Sequence, residues 1–336
     1  MNKQFNKNKN PFFEHAEVQP FLAYKDGEVV GRITAAKNHR HNEFYKDGAG
    51  FFGFFECIDD PEVAKKLLNT AEGWLRERKT TFVLGPLSFS MNDDVSPGVL
   101  VSGFESPPFI LMGHAFPYYQ NFIEGTGYEK AVDVLAFRMP IQQEINPRFV
   151  AIVERLKRTR NIKIRFFDPK NFWRDAKILI DIYNSAWDGN WGFVPFTEDE
   201  FIEIVKSLKE IYIRELVQIA EIDGEPVGWA MTLPNINEAL IHINGKLFPF
   251  GLFKLMYWMK RVKGLRMWGL GIKPEYRKRG VDVMLYYHSL IEGKRLGYTD
   301  GELSWVLETN VPIIRAAHYV KGEEYKRYRI YKKSIS

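Results

Sequence analysis

Cysteine is almost missing from this sequence: Cys57 is the only one in 336 residues. That excludes an internal disulfide and a thiol-rich metal site. No run reaches the length of about 18 uncharged apolar residues that a membrane span needs. The N-terminus, MNKQFNKNKN, lacks the apolar centre of a signal peptide. A Glu-rich helical metal motif is absent as well, so the acidic pair Asp93-Asp94 gives little support to a nucleotide pyrophosphohydrolase, and no metal is expected. These absences predict a cytoplasmic protein.

What is present points elsewhere. Hydrophobic residues make up 45% and charged residues 26%, ordinary for a globular chain. Aromatics reach 15%, with 26 Phe and 16 Tyr, a surplus suited to a ligand groove or a membrane-facing surface. The net charge of +5 suits an anionic partner such as CoA, anionic lipid or RNA. The length suits two domains.

The stretch from Leu265 to Leu290 organises the rest. Met267–Ile272 reads as a strand, and Val281, Met284, Leu285 and His288 recur at helical spacing. Between them lies Arg277-Lys278-Arg279-Gly280. A glycine there lets backbone N–H groups converge where a helix begins, and a helix N-terminus favours anions. The bland alternative is a basic, solvated turn. The order of strand, Pro274, Tyr276 and helix favours a pyrophosphate cradle. Ile272-x-Pro274-x-Tyr276-Arg277-x-Arg279-Gly280 resembles the acyl-CoA signature of the GNAT acyltransferase superfamily, Arg/Gln-x-x-Gly-x-Gly/Ala. Asp282 departs from it, and its carboxylate repels a pyrophosphate unless it turns away or pairs with Arg279. The resemblance implies that acyl-CoA is held by Leu270, Gly271, Ile272, Arg277, Lys278, Arg279, Gly280, Val281 and Asp282, with Asn310 beyond.

The chain repeats itself. Ala23-x-x-Asp26-Gly27-Glu28-x-Val30-Gly31 recurs as Ala220-x-x-Asp223-Gly224-Glu225-x-Val227-Gly228. Both lead toward a strand, a long helix and another strand, which predicts an α/β fold with a mixed sheet and two tandem GNAT-like domains. The expected layout is a polar extended arm over 1–18, an N-terminal domain over 19–143 and a C-terminal domain over 144–336. Where the second copy has Arg277, Lys278 and Arg279, the first has Glu56, Asp59 and Asp60. An acidic turn cannot welcome a pyrophosphate, so the N-terminal copy is read as degenerate, a scaffold or substrate wall.

The second copy carries an insertion over 234–264. A helix from Leu252 places Leu252, Leu255, Met256 and Met259 on one face and Lys254, Tyr257, Trp258 and Arg261 on the other. With cations at 246, 254, 260, 261 and 263, this segment suits a membrane headgroup layer. The alternative is a buried lid helix. Both readings wall the cofactor cleft with apolar surface, pointing to a greasy substrate.

Further runs narrow the family. They include Gly50-Phe51-Phe52-Gly53-Phe54-Phe55-Glu56, Gly85-Pro86-x-Ser88-Phe89-Ser90-Met91-Asn92-Asp93 and Trp187-x-x-Asn190-Trp191-Gly192-Phe193-Val194-Pro195. With Pro107-Pro108-Phe109, Pro117-Tyr118-Tyr119 and Tyr325-Lys326-x-Tyr328-Arg329-Ile330-Tyr331, they resemble the bacterial ceramide synthase-like family across nearly the whole chain. The resemblance implies acyl transfer from acyl-CoA to the amine of a sphingoid base. Asn92, Asp93, His114, Tyr118, Asp188, Asn190 and Trp191 are candidates for substrate contacts, although loops also use such residues to satisfy their own backbone.

Amide formation from a thioester needs a proton acceptor, an oxyanion donor and a leaving thiolate. Backbone N–H groups near Leu270-Gly271 are the expected oxyanion donors. Glu308 is the candidate base and Tyr319 the candidate acid; an exposed strand-end carboxylate is the plain alternative for Glu308. Two competing functions stay open: a non-catalytic lipid- or CoA-binding GNAT shell, and an aminoacyl-tRNA-dependent Fem-type ligase, which lacks support from any long basic helical arm.

Overall fold

The computed structural model describes residues 4–89 and 97–335. The first half runs β1 (Ala16–Lys25), β2 (Glu28–Asn38), α1 (His39–Tyr45), β3 (Ala49–Cys57), α2 (Pro61–Arg76), β4 (Phe82–Gly85), β5 (Val99–Ser102), α3 (Tyr118–Glu124) and β6 (Glu129–Pro140). The second begins with α4 (Pro147–Arg160), β7 (Ile162–Phe166), α5 (Phe172–Ala186), α6 (Glu198–Leu208), β8 (Val217–Ile222) and β9 (Glu225–Pro234). It continues with α7 (Asn237–Leu240), α8 (Gly251–Met259), β10 (Gly264–Ile272), α9 (Val281–Arg295), β11 (Asp300–Leu307), α10 (Val311–Tyr319) and β12 (Glu323–Ser334).

Local chemistry explains the elements. The repeated hairpins turn on Asp26-Gly27, with φ of 53° and 84°, and on Asp223-Gly224, with 52° and 85°. Two successive positive φ values are what a tight two-residue hairpin demands, and Asp-Gly supplies them at little strain. Helix α2 starts where Asp60 accepts the Glu62 N–H, and it buries Val63, Ala64, Leu67, Leu68, Ala71 and Leu75 against the sheet. Helix α6 opens with a full capping box, Thr197 and Glu200.

Among the described residues twelve strands form one mixed sheet, ordered β1-β2-β3-β4-β12-β6-β11-β10-β9-β8-β7, with β5 on β12. The two copies of the repeat are not self-contained. Strand β12, the last of the chain, pairs with β4 of the first half, while β6 pairs with β11 of the second. Each half lends its closing strand to the other. Strand alternation fits either partner equally well, so the exchange has no local signature.

The expected polar arm is corrected. Residues 11–14 form a turn with Phe12 buried, and β1 already begins at Ala16. The rings of Phe5, Phe12 and Phe13 gather on Phe89, with centroids 5.3, 5.2 and 6.0 Å away. Three aromatic side chains fasten a segment whose polar composition suggested solvent.

Candidate active site

Strands β10 and β11 run parallel and in register only from Gly264–Met267 against Asp300–Leu303. Beyond that they separate, and the sheet opens into a notch. The other edge of β10 stays on β9, with Trp268 as an extra bulged residue. Lys273 N–H bonds to Val227 O at 2.9 Å, which sets the phase of that ladder. By antiparallel alternation Gly271 and Gly269 also bond toward β9, so Leu270 and Ile272 turn N–H and C=O into the notch.

The basic loop caps the notch. Lys278 at φ 61° and Gly280 at φ 87° fold it back onto the start of α9. Gly280 is the N-cap and no side chain caps the helix, so its first N–H groups stay available to an anion. A Cβ on Gly280 would stand 2.6 Å from a methyl of Leu156, which would have to shift, and the positive φ itself favours glycine. The two arginines have different partners. Arg277 Nη2 donates to Ala186 O at 2.5 Å and ties the loop to the C-terminal end of α5. The Arg279 guanidinium lies over the Tyr276 ring at 4.8 Å and lines a hollow of about 540 Å³ with Lys157, Arg158, Arg160, Asn161 and Asp223. Asp282 sits in the first turn of α9; burial, helped by the Asp282 carboxylate, pushes the Tyr286 phenol up.

Two walls flank the notch on one face of the sheet. Trp187, just after α5, lies on β10, so that a Cβ on Gly271 would be 2.4 Å from its ring. The indole stacks on Tyr183 at 4.3 Å and on Trp229 at 5.8 Å. The other wall comes from the first half. Asn235 accepts Ile110 N–H at 2.9 Å, Arg266 Nη1 donates to Ile110 O at 2.5 Å, and Tyr328 OH donates to Gly113 O at 2.8 Å.

At the apex lies a buried charge cluster. Arg266 on β10 and Glu302 on β11 are register partners, with N and O 3.3 Å apart and side chains 1% and 0% exposed. Arg266 Nε also donates to Ser304 Oγ at 3.1 Å. Burial outweighs the pull of Arg266 and raises the Glu302 carboxyl to about 7. Neither Glu302 nor Trp187 was singled out from sequence as a site residue. The available signal was a charge in the buried phase of each of two apolar strands.

The other expected residues scatter. Asn310 caps α10, accepting Ile313 N–H at 3.4 Å, beyond the end of β11. Glu308 accepts from Lys130 at 2.7 Å and from Asp133 N–H at 3.0 Å, which pins the end of β11 to β6. Tyr319 ends α10, 48% exposed, its ring 6.0 Å from Phe149. Asp188, Asn190 and Trp191 occupy the loop after α5. That loop meets the first half, where Tyr45 OH donates to Phe193 O at 2.9 Å and Trp191 joins the aromatic cluster around Phe89. His114 packs near Phe104 with its pKa lowered by burial and Lys326. Tyr118 donates to Cys57 O at 3.1 Å within the first half. Asn92 and Asp93 lie outside the described residues.

The first half shows what a closed notch looks like. Strands β3 and β4 also part after Phe51 and Leu84. There Leu87 N–H bonds to Phe52 O at 2.7 Å, and a Cβ on Gly53 would fall 1.4 Å from Leu87 O. The returning chain fills the gap, with Phe89 against Phe54 at 5.1 Å. Helix α2 is capped by its own Asp60, which also pairs with Lys25 at 2.9 Å. Among the described residues the first notch is therefore plugged and the helix beside it acid-capped, unlike the second.

Apart from Asn235 at its start, the insertion lies away from the basic loop 277–280. It joins β9 to the start of β10, while the loop follows the end of β10; a nine-residue strand spans roughly 30 Å. Nor is α8 a buried lid: Leu252, Phe253, Met256 and Tyr257 are exposed. No described helix is long and apolar enough to cross a membrane.

The chain is 39% identical over 338 residues to the bacterial ceramide synthase of Caulobacter vibrioides (strain NA1000 / CB15N), spanning 97% of this chain and 86% of that protein. The chain belongs to the bacterial ceramide synthase family. Protein YghO of Escherichia coli (strain K12) is similarly close, 38% identical over 335 residues, 97% of this chain and 85% of that one. No protein-family model matches. Among solved structures, a tandem GNAT protein from the clavulanic acid biosynthesis pathway superposes with a TM-score of 0.56 at 11% identity, over 96% of this chain and 84% of that one. The fold is tandem GNAT, and the chain is an acyltransferase.

Proposed function

We propose that the protein transfers an acyl group from acyl-CoA to the amine of a long-chain base, a sphingoid base or a close analogue, forming an amide. The observation that carries this reading is the contrast between the two notches. The second is open, edged by Leu270 N–H and headed by an uncapped helix beside Arg279, whereas the first is plugged. The relative's name supplies the acceptor class.

In this reading the loop 277–282 binds the pyrophosphate, and the extended pantetheine arm takes the place of a strand along β10. The thioester carbonyl then meets Leu270 N–H, which stabilises the oxyanion. The acceptor ammonium gives up one proton to solvent, the amine nitrogen bonds to the carbonyl carbon and passes its second proton to the base, and the C–S bond breaks to release the thiolate. Glu308 is held by Lys130, so we assign the proton acceptor to Glu302, whose carboxyl titrates near neutral and whose strand borders the notch. Tyr319 is the proposed donor to the leaving sulfur. A long-chain amine resides in bilayers, so the reading includes a peripheral position at the inner face of a membrane.

The test is mass spectrometry of the products formed by purified protein given palmitoyl-CoA and sphinganine. An N-acyl product that requires both substrates is expected. Free acid alone, or no product with any long-chain amine, would reject the reading in favour of a GNAT shell that binds without transferring.

A further inference from the structure

The insertion between β9 and β10 exposes apolar side chains to an unusual degree. Phe248 is 87% exposed, Phe250 and Phe253 are each 69%, Ile241 is 64% and Met256 is 57%. Single exposed apolar residues are ordinary, but clustered ones mark an interaction surface. Here they cluster: Phe253 lies three residues from Met256 on α8, and Phe248 and Phe250 stand immediately before that helix. No described residue covers them.

Charge selects the partner. From Lys246 to Gly264 there is no Asp or Glu, while Lys246, Lys254, Lys260, Arg261 and Lys263 supply five cations. Arg261 lies over the Tyr257 ring at 3.5 Å, holding its guanidinium on an amphipathic ring. Long basic stems between aromatic rings fit a layer of lipid headgroups above acyl chains. A hollow of about 300 Å³ opens beside the patch, lined by Pro107, Pro108, Asn235, Ile241, His242 and Trp258. It adjoins the wall whose Ile110 carbonyl is held by Arg266.

We infer that the segment from Ile241 to Arg261 docks on a bilayer containing anionic phospholipid, with Phe248, Phe250, Phe253 and Met256 entering its acyl boundary and the cations at its headgroups. The dock lies at the opposite end of β10 from the phosphate loop. A long-chain substrate then reaches the apex from the membrane side while the nucleotide end of its co-substrate stays in water. The inference extends the acyltransferase reading but is tested without it.

The experiment is flotation of the full-length protein with two vesicle types: phosphatidylcholine alone, and phosphatidylcholine mixed with phosphatidylglycerol. Binding to the anionic vesicles at least tenfold above the neutral ones, weakened by added salt, is expected. The triple variant Phe248→Ser, Phe250→Ser, Phe253→Ser should lose that binding at least tenfold while keeping its far-ultraviolet circular dichroism and thermal midpoint, because none of the three rings is in the core. Equal binding by the variant, or no preference for anionic vesicles, overturns the dock. So does a wild-type dimer in sedimentation that the triple variant converts to monomer, since the patch is then an interface between copies. Vesicle binding without amide product would leave the dock standing and the acyltransfer reading rejected; product without vesicle binding would do the reverse.

Discussion

The Trp187 indole presses on Gly271, leaving no space for even one added carbon. That contact joins the end of α5 to the strand that edges the notch, and Arg277 reinforces it from above through Ala186 O. Gly271→Ala should displace the ring, cost about 1–3 kcal/mol of stability by overpacking, and lower kcat/KM about tenfold or more. Adding Trp187→Leu should recover stability but not activity. Thermal unfolding and steady-state kinetics on the four members of the cycle check this.

Arg277 and Arg279 are adjacent in motif and different in role. Arg279→Ala should raise KM for acyl-CoA about tenfold, the loss expected for one charge-assisted contact of about 1.5 kcal/mol, with the thermal midpoint unchanged. Arg277→Ala should lower the midpoint as well, since its partner is a helix-terminal carbonyl. Kinetics and melting curves on the two single variants separate the roles.

Glu302 gives a pH signature. Its carboxyl is raised to about 7, and only the ionised form accepts a proton, so kcat should climb as pH rises through about 7 and level off above it. Glu302→Gln should remove that limb and lower kcat by about 10²–10⁴, with KM for acyl-CoA little changed. A variant that keeps the wild-type profile would assign the limb to another group. The Glu308→Gln variant serves as comparison and should chiefly weaken the tie between β11 and β6.

Much of this was legible from residue chemistry alone. Asp-Gly pairs announced both hairpins, Asp60 and Thr197 announced their helices, and Arg277 to Gly280 marked the turn between a strand and a helix. The acidic Asp59-Asp60 turn set the first copy apart from the basic turn of the second, and in the fold Asp60 caps α2. What escaped notice depends on distant partners. Strand alternation cannot say that β12 and β6 change places. A single arginine in Leu265-Arg266-Met267 and a single glutamate in Gly301-Glu302-Leu303 look like edge charges until β10 and β11 are set side by side. The plug of the first notch rests on Gly53 meeting Leu87, residues separated by a strand, a helix and a turn.

That plug makes its own prediction. Gly53→Ala places a carbon on the Leu87 carbonyl and should destabilise the fold by about 3 kcal/mol or more, without altering KM for acyl-CoA in protein that remains folded. Denaturant unfolding paired with kinetics tests the separation.

The central claim is that one notch of two is open and that its basic loop grips the phosphates of a thioester carrier. Calorimetric titration of the protein with CoA measures this directly. One site per chain is predicted, abolished when Arg277 and Arg279 are both replaced by Glu and untouched by Asp60→Asn in the first half. No binding, two sites per chain, or binding that survives the double replacement would contradict it.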